Sequence, residues 1–137
     1  MSAPVAVVRE HDSAWHALVR LTETGLRHLV VLDDTDGLVG VLDDRLVLSR
    51  WPLDGLGTRR QTVGELVRPI RSGPGGPLRV RADDPVVAAA ALMLRCHVDG
   101  LPVVDDAGAV IGIVTGSDLV RAMVQAAVQQ GERPVTG

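Results

Sequence analysis

The chain of 137 residues has no phenylalanine and no tyrosine, and Trp15 and Trp51 are its only Phe/Tyr/Trp-type aromatics. The aromatic stacking platforms of single-strand nucleic-acid binders are therefore missing. One cysteine, Cys96, excludes an internal disulfide and a thiolate metal cluster, and reads as a small, buried, apolar-like residue on a helix. Long apolar runs are absent too, because charges or Gly/Asp turns break each one before about 18 residues, the length a membrane span needs. There is no basic excess. Fourteen basic residues against 17 acidic ones give a net charge of -3, which supplies no face for neutralising phosphates, so neither nucleic acid nor membrane is an expected partner. The opening MSAPVAVVREHDSAW has no positive region ahead of an apolar stretch, so no secretory leader is read there and the expected location is cytoplasmic.

What is present, 46% hydrophobic and 23% charged residues, suffices for one compact domain or two small halves sharing a core of Val, Leu, Ile, Ala and Met. Val5 to Val8 reads as a strand, and Asp12 or Ser13 as the cap of a helix with apolar positions Ala14, Trp15, Ala17, Leu18 and Leu21. Thr24-Gly25 stops it. Strands His28 to Leu32 and Leu38 to Leu42 follow around the turn Asp33 to Gly37, then a short helix from Asp44 to Arg50 ending at Pro52. In the joining segment Leu53 to Pro77, Thr62 and Glu65 have capping-box spacing on a short helix, whereas Arg68 to Pro77 has loop composition and Arg59-Arg60 reads as solvated linker.

The second half repeats this order. Leu78 to Arg81 is a strand, Asp83 or Asp84 a cap, and Pro85 the first residue of a helix through Val86, Val87, Ala90, Leu92, Met93 and Leu94 to Cys96. Leu101 to Val104 and Ala109 to Val114 flank Asp105-Asp106-Ala107-Gly108 as a hairpin. Leu119 to Gln130 is an amphipathic helix whose apolar set (Leu119, Val120, Met123, Val124, Ala127, Val128) serves core packing or a dimer surface. An ungapped offset of 72 positions aligns Val8 with Val80, Asp12 with Asp84, Leu29 with Leu101, Asp33-Asp34 with Asp105-Asp106, and Gly40 with Gly112. One supersecondary unit thus occurs twice, and two open three-stranded layers, each with an apolar face, are expected to pack on each other with pseudo-two-fold symmetry. The expected class is α/β (α+β), with residues 1–58 as the first repeat, 59–77 as short helix and linker, and 78–137 as the second repeat with its C-terminal helix.

Where the last strand meets the last helix, Thr115-Gly116-Ser117-Asp118 gathers a hydroxyl, a glycine, a carboxylate and helix-start amides. That suits a phosphate or a vicinal diol, and it equally suits a local cap with an acid in the first turn. The four histidines (His11, His16, His28, His97) have no metal-like spacing, and no nucleophile elbow or phosphate loop is present, so neither a metal site nor an enzyme is expected.

Each half resembles the cystathionine β-synthase (CBS) domain, and the pair resembles a Bateman module. The likeness is carried in the second copy by Val80, Asp84-Pro85, Ala89, Met93, Leu101-Pro102-Val103-Val104-Asp105, Gly108 and Gly112-Ile113-Val114-Thr115-Gly116-Ser117-Asp118-Leu119, and it covers residues 5 to 128. The resemblance implies two β-α-β-β-α repeats packed sheet to sheet and a regulatory ligand such as AMP, ADP, ATP or S-adenosylmethionine in the cleft between them, with no cofactor required. Carried onto this chain, Asp118 would accept from the ribose hydroxyls and Thr115, with Gly116 and Ser117, would meet phosphate or ribose. Backbone at Val80, Arg81, Ala82, Leu101 and Pro102 would hold the adenine. Arg121, one turn on, joins Arg27, His28, Arg95 and His97 as a positive group for a phosphate. The first copy departs from the pattern, with Asp43, Asp44, Arg45 and Leu46 in place of Thr115 to Asp118, and Val30 in place of Pro102. Leu46 cannot accept from a diol and the acid pair repels phosphate unless a metal or Arg45 intervenes, so at most one good nucleoside site per chain is expected. The implied function is a regulatory or sensor module, commonly a homodimer and possibly read by a separate effector protein. The alternatives are a ligand-free dimerisation or scaffolding module, or a regulatory subunit of a separate enzyme or transporter.

Overall fold

In the computed structural model of the chain, which describes residues 5–49, 61–67 and 77–131, the repeat in the sequence becomes a repeat of elements. The first unit runs β1 (Val7–Arg9), α1 (Ala14–Thr24), β2 (His28–Leu32), β3 (Leu38–Asp43) and α2 (Asp44–Ser49). After α3 (Val63–Val67), the second runs β4 (Val80–Arg81), α4 (Val86–Cys96), β5 (Gly100–Val104), β6 (Val110–Thr115) and α5 (Gly116–Gln129). At the same offset α1, β2 and β3 superpose in sequence on α4, β5 and β6 without a slip. In each sheet the central strand, β2 or β5, pairs parallel with the short first strand and antiparallel with the third. Even the irregularity in register recurs, between Val31 and Leu32 and between Val103 and Val104. The expectations placed on Arg50 to Arg60, on residues 68–76 and on 132–137 lie outside the described residues.

Local chemistry explains the turns. Asp33 Oδ1 accepts from the amides of Thr35 (2.9 Å) and Gly37 (2.8 Å). Asp105 Oδ1 accepts from those of Ala107 (3.0 Å) and Ala109 (2.9 Å). Both hairpins are therefore closed by the same carboxylate device. The choice of caps resolves in favour of Ser13, whose hydroxyl accepts from His16 N–H at 3.0 Å. Asp12 and Asp84 instead brace the preceding loop, each accepting at 2.9 Å from the amide of Arg9 or Arg81. In the second unit the cap position is Pro85 itself, extended at ψ 146° and without a side-chain cap bond. It stands one residue earlier than the first helical position expected for it, because Asp84 is held by the loop.

Alternation along the central strands divides the burial. Leu29 and Val31 join Val8, Ala14, Ala17, Leu21, Val39, Leu42 and Val47 in a core under the first unit's own helices. Leu101 and Val103 join Val80, Ala89, Met93 and Leu119 in the equivalent core of the second. The two halves thus have separate cores. Val30 and Pro102, one residue out of phase and fully buried, belong to neither cluster and face the other unit, where β3 and β5 are in contact. Several residues of the expected helical apolar sets stay outside: Trp15 on α1, Val87 and Leu94 on α4, and Val120, Met123, Val124 and Val128 on α5 are exposed.

The short α3 completes the first core although it leads into the second unit. Val63, Leu66 and Val67 are buried with the first cluster, and the amides of Val63 and Gly64 donate to Asp12 O (2.8 Å) and Glu10 O (2.7 Å). A side chain at position 40 would meet Val67 Cγ1 at 2.4 Å, so only glycine on β3 admits the helix at this approach. Because Leu29 and Leu101 hold equivalent, fully buried places in separate cores, Leu29→Ala and Leu101→Ala should each cost about 2–5 kcal/mol, read as a lowered midpoint in urea denaturation.

Candidate functional site

Two sheets related by a pseudo-two-fold axis bring the start of β1 and the start of β2 of one unit against the strand-to-helix junction of the other. The result is two equivalent clefts. The smaller, of about 360 Å³, is lined by Val5, Ala6, Leu26, Arg27, His28 and Val30 of the first unit and by Ile113, Thr115, Gly116 and Ser117 of the second. The larger, of about 820 Å³, places Pro77, Leu78, His97, Val98, Asp99, Gly100 and Pro102 of the second unit opposite Val41, Asp43 and Arg45 of the first. Both volumes lie in the range of small-molecule sites.

This crossing redistributes the expected site residues. Thr115, Gly116 and Ser117 face the smaller cleft, and Pro102 faces the larger one. Leu101 and Val80 point into the second unit's own core. Arg81 and Ala82 are exposed, with Arg81 paired to Asp106. The sequence assigns the diol and adenine contacts to the second repeat and, from the first, only Arg27 and His28 as groups for a phosphate. In the structure the wall facing Thr115 to Ser117 comes from the first, including Arg27 and His28. Val5, Ala6 and Leu26 were not foreseen, although the pseudo-two-fold relation that follows from the repeat pairs these ends of the two units.

The junction at Thr115 is a closed capping box. Asp118 N–H donates to Thr115 Oγ1 at 3.3 Å, and Thr115 N–H donates to Asp118 Oδ2 at 2.9 Å. Asp118 Oδ1 faces Arg121 at 3.5 Å, so the carboxylate lies just behind the cleft wall, tied to the backbone and to a cation. Gly116 N–H is committed to Asp99 O at 3.0 Å, while the Ser117 amide, in the first turn, has no intrahelical acceptor. In the first unit Asp43 takes the place of Thr115 and accepts from Leu46 N–H at 2.7 Å. Its neighbour Asp44 keeps Oδ1 buried without a hydrogen-bond partner, and Asp44 Oδ2 stands 3.5 Å from Arg27 Nε. Among the other positive groups named from sequence, His97 lines the larger cleft and Arg95 is exposed on α4.

Where the two clefts meet, the symmetry is broken by charge and by size. His28 and Gly100 are equivalent, as are Arg27 and Asp99. A side chain at Gly100 would lie 2.7 Å from His28 Cδ2, so the missing Cβ is what lets the imidazole reach across. There His28 Nε2 meets Asp99 Oδ1 at 2.9 Å, with the His28 side chain only 10% exposed. Arg45 approaches Asp99 Oδ2 at 3.7 Å. Burial pushes the Asp99 carboxyl up, but the hydrogen bond and charge of His28, followed by the charges of Arg27 and Arg45, outweigh it and hold the group below its ordinary value of 3.8. Asp43 completes a grouping that linear spacing hides: donor atoms of His28, Asp43 and Asp99 all lie within 4.8 Å of one another.

Two copies of one α/β unit, joined face to face with a ligand-sized cleft on each side of a pseudo-two-fold axis, define a tandem-repeat module. The CBS domain model matches residues 1–51 and 63–125, and the chain belongs to the CBS domain family. It is 34% identical over 142 residues to the chloroplastic CBS domain-containing protein CBSX2 of Arabidopsis thaliana, covering 87% of this chain and 58% of that protein. The structure of CBSX2 in complex with AMP matches with a TM-score of 0.67 over 89% of each chain. The CBS domain pair of protein MJ0100, in complex with 5-methylthioadenosine and S-adenosyl-L-methionine, matches with a TM-score of 0.71 at 25% identity, covering 92% of this chain and 93% of that one. An L-aspartate semialdehyde sulfurtransferase of Methanocaldococcus jannaschii is 27% identical over 122 residues, 88% of this chain but 22% of that protein. The chain thus spans little more than half of CBSX2 and about a fifth of the sulfurtransferase.

Since the Asp99 carboxyl is held below its ordinary value, its contribution to stability is complete above that value and is lost as pH falls through the lower, native-state value. Stability measured by denaturant unfolding from pH 6 downward should therefore fall less steeply in Asp99→Asn than in the wild type below about pH 4.

Proposed function

We propose that this chain is a regulatory sensor module that binds one adenosine-containing ligand (AMP, ADP, ATP or S-adenosylmethionine) in the smaller cleft between its repeats. The observation that carries the reading is the meeting of Arg27 and His28 of the first unit with the Thr115 to Ser117 junction of the second. A guanidinium, an imidazole, two hydroxyls and a first-turn amide around one cavity suit a phosphate group, and the apolar walls from Val5, Ala6, Leu26, Val30 and Ile113 suit a purine face. Asp118 lies behind the wall of this cleft and braces Thr115, so its role as diol acceptor requires Oδ1 to exchange Arg121 for the ribose hydroxyls. The AMP and S-adenosylmethionine complexes of the two similar structures support the ligand class.

Because the ligand touches both units, its binding lowers the free energy of one relative orientation of the repeats, and a partner copy or a separate effector protein reads that orientation. No described helix is long and apolar enough to cross a membrane. The proposed setting is the cytoplasm and the proposed assembly a homodimer, the latter supported by the exposed apolar residues of α4 and α5, two helices in mutual contact. The completed capping box of Asp118 favours the second reading, a ligand-free scaffold, since it accounts for Thr115 and Asp118 by helix capping alone.

Calorimetric titration with the four ligands separates these readings. Saturable binding near one ligand per chain is expected, with Arg27→Ala weakening the phosphate-bearing ligands about tenfold or more and S-adenosylmethionine far less. Asp118→Asn, which retains an oxygen for the Thr115 amide, should weaken all four. Absence of heat and of thermal stabilisation with every ligand would overturn the sensor reading in favour of the scaffold.

A further inference from the structure

The larger cleft differs from the smaller one at equivalent positions of its lining. Where the second unit presents Thr115, the first presents Asp43, and where the first unit presents Arg27, the second presents Asp99. We propose that His28, Asp43 and Asp99 form a site for a divalent first-row transition cation, bound across the two repeats.

Three features of the backbone place the donors. His28 and Asp43 are direct cross-strand partners on the antiparallel β2–β3 ladder. Asp99 arrives from the other unit at the residue before β5, and Gly100 behind it leaves the space that the imidazole occupies. Two of the donors are already held: His28 is largely buried, and Asp43 Oδ1 is fixed by the Leu46 amide, which orients the carboxylate. With metal–donor distances of about 2.0–2.2 Å, donors around one ion stand about 3–4 Å apart. A grouping confined within 4.8 Å needs only a small contraction to close.

Charge gives the reason for a cation. Among the described residues the cations close to this grouping, His28, Arg27 and Arg45, act on Asp99, and the ion pairs include none that faces Asp43. Arg45 approaches Asp99 Oδ2 at 3.7 Å and is 72% exposed. A divalent ion would neutralise both acids at once. One nitrogen and carboxylate oxygens, with remaining positions open to the cleft, fit Zn²⁺ or Mn²⁺ better than the all-oxygen sets that Mg²⁺ and Ca²⁺ prefer. For the ion to take His28 Nε2, a proton held there moves to Nδ1 of a neutral ring or is released to solvent from an imidazolium, and the ion then takes the place of the existing hydrogen-bonded link between repeats. This site shares His28 with the proposed nucleotide site but rests on other observations, the pairing of His28 with Asp43 and Asp99, and it is tested without any nucleotide.

Chelator-treated protein, titrated calorimetrically with Zn²⁺ and with Mn²⁺, should bind one ion per chain. His28→Gln and Asp43→Asn should each weaken binding about tenfold or more, since loss of a direct ligand should cost no less than loss of an outer-shell partner. Their melting temperatures in chelator serve as the check on folding. Asp43→Asn retains the oxygen that caps α2, so it decides the matter if His28→Gln does not fold. Failure of the wild type to bind either ion, or undiminished binding by the folded Asp43→Asn variant, would overturn the proposal, the latter by placing the ion at other side chains.

Discussion

Everything in this molecule depends on two small sheets having to cover both of their faces. Three strands with one layer of helices bury Leu29 and Val31, or Leu101 and Val103, but leave the alternate residues bare. Val30 and Pro102 reach full burial only because the second unit lies against the first. The face-to-face contact is therefore a condition of the fold, and the clefts are its by-product: two twisted sheets that touch along their centres diverge at both ends of the contact. The position of the cavities follows from packing before any functional residue is considered.

Exact symmetry would make the two clefts alike, and the chain uses a few substitutions at equivalent positions to make them different. Histidine against glycine, arginine against aspartate, and threonine against aspartate give the two cavities different charged and polar groups. The same His28 and Asp99 line both cavities, and the hydrogen bond between them crosses the interface that separates the two.

The repeat was legible in the sequence because the offset is ungapped, and with it came the element order, the hairpin carboxylates and the need for face-to-face packing. Capping was less legible. Asp12 and Ser13, or Asp83 and Asp84, are chemically interchangeable as caps, and only the geometry of the preceding loop decides that the aspartates brace Arg9 and Arg81. The apolar face of α4 extends beyond what the core takes up, and that of α5, expected to serve core packing or a dimer surface, leaves Val120, Met123, Val124 and Val128 exposed, since periodicity marks apolar residues without saying whether this chain alone supplies their cover. The motif at Thr115 to Asp118 was visible, but its opposite wall was not, because a wall built by another repeat leaves no local spacing to find. His28, Asp43 and Asp99 escaped for the same reason: 15 residues separate the first two and 56 the last two in the sequence.

The short helix α3 has a consequence for how the module came to be and how it can be divided. Its chain continues into the second repeat, yet Val63, Leu66 and Val67 seal the core of the first, with Gly40 shaped to receive it. A cut just after the first β-α-β-β-α unit would leave that unit with an open core and its neighbour with a detached apolar segment. The first copy is therefore sealed from outside its own β-α-β-β-α unit, and a one-copy chain would have to carry an equivalent of this segment to close its core.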